Sequence, residues 1–155
     1  MADSSKPPTV IVCGREENVG KMVVKGLMPD YEVILFCKGA EHTVSEIPYA
    51  LRNEAPPEQS SYIGSNDFGR APIAVIMGAA WDAADCVRVR DAVAAASGSA
   101  GAGRPLVLRN DTSVPAPTPP APEYGQQLVR RIKATLGRVA EGEKLDGPEE
   151  GIVWY

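Results

Sequence analysis

Three short stretches of this sequence carry side chains able to hold an anion or move a proton. In "LRNDTSVP", Arg109, Asn110 and Asp111 follow an apolar run. A guanidinium presents a fork of donors that binds two oxygens of a carboxylate or phosphate, so Arg109, with Asn110 beside it, is a candidate substrate anchor. Asp111 is then a candidate acid or base. A plain surface turn uses the same residue types for backbone reasons. In "GAAWDAADC", Asp82 follows Trp81, whose indole is able to stack on a flat ligand. Asp85 lies on the same first helical turn, where the two carboxylates would share a proton or a cation. The alternative is structural: Asp82 caps a helix, Asp85 complements its dipole and the indole packs inside. Tyr62, in "YIGSNDFGR", is a third acid–base candidate, on a stretch that Gly64 and Gly69 would hinge as a lid or that simply connects two elements. His42 is the single histidine and has no ligand-spaced partner, so no metal site is expected. It begins a helix and reads as a solvated or capping residue away from the crevice. Cys13 has no identifiable base and lacks the spacing of a phosphate-binding cysteine loop.

The stretch "TVIVCGREENVG" is a β-branched run that enters a helix through a glycine-containing loop. Its spacing fits G-x-x-x-G-x-G, with Gly14 first, Asn18 in the middle place and Gly20 last. Asn tolerates left-handed backbone better than most residues, and helix N–H groups at residues 18–21 would face a pyrophosphate. Two features bear on which ligand would sit there. Glu16 and Glu17 place two carboxylates beside the phosphate position. Lys38, ending the second apolar run, stands where an NAD binder has an acid; with Arg15 it would suit a 2′-phosphate, which favours NADP. Without a ligand, Asn18 is simply the cap of the helix.

This loop spacing resembles the cofactor loop of short-chain dehydrogenases and, through it, the NAD(P)-binding Rossmann-like superfamily. The resemblance covers roughly the first forty residues and implies dinucleotide binding by Gly14, Arg15, Asn18, Gly20 and Lys38. The dehydrogenase catalytic pair, Tyr and Lys four apart, is absent: Tyr31, Tyr49, Tyr62 and Tyr124 are each followed at that distance by another residue. The whole chain also looks like small uncharacterised Rossmann-like proteins of filamentous fungi, on the strand-one loop and the stretch "GAAWDAADCVRVRDAV".

Positioning these residues requires a regular frame, and the sequence supplies one. Apolar runs at 9–13, 32–37, 74–77 and 105–108 read as buried strands. Between them lie helical patterns: Val19, Met22, Val23 and Leu27; then 41–52, which Pro48 would break; then Cys86, Val89 and Val93; then 123–140, with a stripe of Leu128, Ile132, Leu136 and Val139. Short apolar strands alternating with amphipathic helices predict an α/β, doubly wound, mostly parallel four-stranded sheet, Rossmann-like or flavodoxin-like, with helices on both faces. Strand one is expected in the middle, flanked by strands two and three. Ligands in such folds bind at the strands' carboxyl ends, here between strands one and three, lined by loops 14–20, 78–82 and 109–114. "SGSAGAG" reads as a flexible loop and "VPAPTPPAP" as extended polyproline. An acidic linker, 141–155, ends in "GIVWY", whose aromatics suggest docking on the chain itself or across a homodimer.

Length, charge and cysteine usage limit the function. A chain of 155 residues suits one domain, preceded by a polar, flexible stretch at 1–8 that lacks the apolar core of a signal peptide. A net charge of −4 argues against nucleic acid or an anionic membrane as partner. Cys13, Cys37 and Cys86 have no paired spacing, which fits a reducing, cytoplasmic setting. Two function classes follow from different residues. One is a domain binding a nucleotide, with NADP as the cofactor suited, or another anionic small molecule. The other is a non-redox enzyme (isomerase, lyase or cyclase) using Asp82, Asp111 or Tyr62. A third reading is a non-catalytic, dimeric interaction protein.

Overall fold

Period-two alternation builds the centre of the protein. In β1 (Thr9–Gly14), Val10 and Val12 face one side of the sheet, and Ile11 and Cys13 the other. Both sides are covered, so the strand is apolar throughout. The computed structural model describes residues 6–97, 104–119, 121–145 and 147–155; the glycine-rich stretch 98–103, where a flexible loop is expected, and the first five residues lie outside this range. After β1 come α1 (Glu17–Leu27), β2 (Glu32–Lys38), α2 (Ala40–Leu51), β3 (Ala74–Met77), α3 (Ala83–Ser97), β4 (Leu106–Arg109), α4 (Pro122–Ala140) and β5 (Val153–Trp154). All strand pairs are parallel, in the order β2-β1-β3-β4-β5. This is the strand order of flavodoxin-like doubly wound sheets.

Helices α1 and α4 cover one face of the sheet, and α2 and α3 the other. The first pair approaches closely because glycines face the contact. A Cβ on Gly26 would stand 2.6 Å from Val129, and one on Gly125 would stand 2.8 Å from Met22. Phe36 is buried at the centre of this face, 1% exposed.

Three expectations are corrected. The sheet has five strands, because "GIVWY" joins it: Tyr155 N–H donates to the Arg109 carbonyl, and Asp111 N–H to the Tyr155 carbonyl. The tail thus docks on its own chain, with Ile152 buried on one face and Val153 and Tyr155 on the other. Pro48 lies inside α2 without ending it; it forgoes one amide bond while the rest of the ladder continues. Asn18 does not cap α1, since the helix starts a residue earlier and Glu16 occupies the cap position without a side-chain hydrogen bond.

"YIGSNDFGR" lies along the outer edge of β2 rather than over the strand ends. Ser65 and Asn66 donate their N–H groups to the carbonyls of Val33 and Ile34. The approach is tight enough to require Gly64, whose Cβ would stand 2.7 Å from the Ile34 carbonyl oxygen.

Candidate functional site

Two cavities open at the carboxyl ends of the strands, and Arg15 lines both. The first, of about 300 Å3, lies at the switch point between β1 and β3, on the α1/α4 face. Its floor is Val12 and Ile76, its walls come from Val23 on α1 and from Leu128 and Ile132 on α4, and Tyr155 closes one side. Gly14 to Glu16 and Gly78 to Ala80 form the mouth. The expected crevice is present, and its interior is apolar. Such a cavity favours an uncharged, ring- or chain-like body, because an unpaired charge is costly in it.

Tyr155 is held firmly in this wall. Its hydroxyl donates to the Met77 carbonyl at 2.7 Å. Burial pushes the phenol well above the usual tyrosine range, against a hydrogen bond from Asn110 that lowers it. Tyr124, also on the cavity, is raised by burial too. Both phenols therefore stay protonated through the neutral range.

The second cavity, of about 360 Å3, opens between the ends of β1 and β2 and the start of α2. Arg15, Lys38, Gly39, His42 and Ser60 line it. Ser60 is held there by a buried carboxylate. Glu46, 2% exposed, accepts from the Ser60 hydroxyl at 2.7 Å and from the Ser60 N–H at 3.2 Å, and its Oε2 lies 4.0 Å from His42 Nδ1. The Ser60 oxygen in turn accepts from the Lys38 N–H at 2.9 Å. Glu46 Oε1 is buried without a hydrogen-bond partner. His42 lies off the β1–β3 crevice and lines this second cavity instead. It stands in the first turn of the helix that begins where β2 ends, and that placement alone puts it beside Lys38.

The phosphate-loop residues divide. Gly14 and Gly20 line the first cavity, Lys38 the second and Arg15 both. Asn18 is exposed and lines neither. Gly20 lies a turn inside α1, where a Cβ would stand 2.6 Å from Phe36 and 2.9 Å from Ile63. Its lack of a side chain lets the helix pack on the sheet. At the amino end of α1, Glu16 holds the cap position and Glu17 the first turn, where negative charge complements the helix dipole.

The remaining candidates are spread out and already engaged. Asp82 accepts the Asp85 N–H at 2.8 Å and so caps α3. Trp81 is buried in the core of the α2/α3 face, its indole nitrogen without a partner. Asp111 accepts from the N–H and hydroxyl of Ser113, which together hold its carboxyl below the usual range. Tyr62 is 67% exposed and lines neither cavity. Arg109 points to the chain's own tail: it pairs with Glu149 at 2.6 Å and stacks over Trp154 at 4.9 Å. The Trp154 indole donates to Glu149 at 2.9 Å, and this bond, with Arg109 beside it, holds the Glu149 carboxyl below its ordinary value. Asp82, Asp111 and Tyr62 thus do not converge on either cavity.

All three cysteines are buried and free, and burial disfavours the thiolates of two of them. Cys86 is pushed up to about 11, and Cys37, hydrogen-bonded to Cys13, is raised well above the thiol range. Among the described residues, no group of His, Cys, Asp or Glu side chains could hold a metal ion, and no helix is long and apolar enough to cross a membrane.

Neither a protein-family model nor a solved structure matches the chain. Kojic acid related protein 6 of Aspergillus oryzae is 30% identical to it over 152 residues, which cover 96% of this chain and 90% of that protein. The match runs almost end to end. With that identity over that length, the chain belongs to the family of kojic acid related protein 6.

Proposed function

We propose that this protein is a binding module for an anionic small molecule, held in the crevice at the carboxyl ends of the strands. The observation that carries this reading is the cavity of about 300 Å3 at the β1–β3 switch point, with Arg15 at its mouth. Ligand sites of doubly wound sheets form there, and the volume is at the small end of ligand pockets. A nucleotide is one such ligand in a Rossmann-like setting. NADP is the dinucleotide that Arg15 and Lys38 would suit, since they line one cavity beside the end of β2, where a 2′-phosphate would lie. The name of the Aspergillus oryzae relative makes kojic acid a further compound to try.

A thermal-shift screen with NADP, NADPH, NAD, ATP, FMN, simple organic phosphates and kojic acid tests the proposal. A binder raises the melting temperature with its concentration. Ala79→Trp, which fills the cavity mouth, should remove that rise. The absence of any shift across the panel would sink the proposal.

A further inference from the structure

The two cavities meet at Arg15 and differ in kind. One is walled by aliphatic and aromatic side chains, the other by Lys38 and His42. Among the described residues, the side chains of Arg15 and Lys38 make no hydrogen bond or ion pair, whereas Arg109 and Arg131 are both engaged. The place where a dinucleotide would put its pyrophosphate, the amino end of α1, carries Glu16 and Glu17. Two like charges there repel a bridging diphosphate. Glu16 also lines the apolar cavity, but neither acid lines the cavity that holds Lys38 and His42, which suits a single terminal anion there.

From this we infer that the ligand is an amphiphile with one anionic head: a phosphate monoester or carboxylate held by Arg15, Lys38 and His42, and an apolar ring or short chain seated between β1, β3 and α4. The inference rests on the crevice being a small-molecule site and names the class of molecule it takes. The cation cavity is built to keep its shape, because the buried Glu46 ties Ser60, which in turn ties the Lys38 backbone. The apolar cavity supplies burial, and the unpaired cations choose the head.

Isothermal titration of the full chain with naphthyl phosphate, naphthoate, naphthol, inorganic phosphate and NADP tests this. The two naphthyl anions should bind about tenfold or more tightly than naphthol or inorganic phosphate, the scale of one charge-assisted contact. Their order identifies the head group. Lys38→Met should bring the anions toward the naphthol affinity and leave naphthol unchanged, and Arg15→Met should weaken both anions more than it weakens naphthol. Naphthol binding as tightly as its anions, or NADP binding more tightly than naphthyl phosphate, overturns the inference while leaving a small-molecule site standing. Failure of all five compounds to bind overturns both.

Discussion

The ends of β1 and β4 each present an arginine at the carboxyl edge of the same sheet, and the two arginines do opposite things. Arg109, ending β4, is used up by the chain: it holds Glu149, stacks on Trp154 and so fastens β5 beside β4. Arg15, just past β1, has no partner among the described residues and stands between two cavities. A charged residue near a ligand crevice is thus not by itself a ligand residue. What separates the two cases is whether the fold has already satisfied the charge.

This contrast can be broken by substitution. The largest effect is expected at Gly20, inside the loop read as a phosphate cradle. Gly20→Val would drive a side chain into Phe36 and Ile63 and should cost about 3 kcal/mol in urea unfolding, as overpacking does. A variant as stable as the parent would mean that α1 is free to shift and that Gly20 has another role. Next, Tyr155→Phe deletes the hydroxyl bound to the Met77 carbonyl and should cost about 2 kcal/mol, the scale of a buried acceptor left unpaired.

Arg109→Ala comes third. It removes a partly exposed ion pair and a cation–π contact, together about 1–2 kcal/mol, and should leave ligand-induced stabilisation intact. The same clasp predicts a pH effect with a definite sign. The folded-state pKa of Glu149 is depressed, so its contribution is present above the ordinary glutamate range and is lost as pH falls through the depressed value. Trp154 emission, followed in a Trp81→Phe background, should report release of the tail in acid and not in base. The smallest effect on stability belongs to Arg15→Ala. It should unfold like the parent while losing the ligand-induced rise in melting temperature. A large loss of stability instead would place Arg15 with Arg109 as a structural residue.

The sequence was most informative where one local pattern decides the outcome. Alternating apolar strands and amphipathic helices established the α/β class, the place of β1 between β2 and β3, and the crevice between β1 and β3. Asp82 was open to two readings, and its bond to the Asp85 N–H makes it the helix cap. Long-range partners were not legible. Nothing near Arg109 in the chain announces Glu149 or Trp154, and a two-residue strand such as β5 is too short for a periodic signal. Loops 14–20 and 78–82 line the cavity as expected, whereas loop 109–114 does not, and part of the wall comes from α4 and Tyr155, which lie far from those loops in sequence. His42 was recoverable, since a helix that starts where β2 ends must open at the same edge of the sheet as Lys38.

The segment that follows Ser60 along β2 bears on how copies of this protein can meet. An outer strand with unused N–H and carbonyl groups is a template on which a second chain can add its own strand. Here the chain's own residues 65 and 66 already occupy two carbonyls of β2, and Ser60 occupies the Lys38 amide. At the opposite margin, β5 offers only two residues. Neither margin presents a long, flat row for a neighbour to zip onto. Self-association by sheet extension is therefore disfavoured, and any pairing of subunits has to be made through side chains on the helical faces.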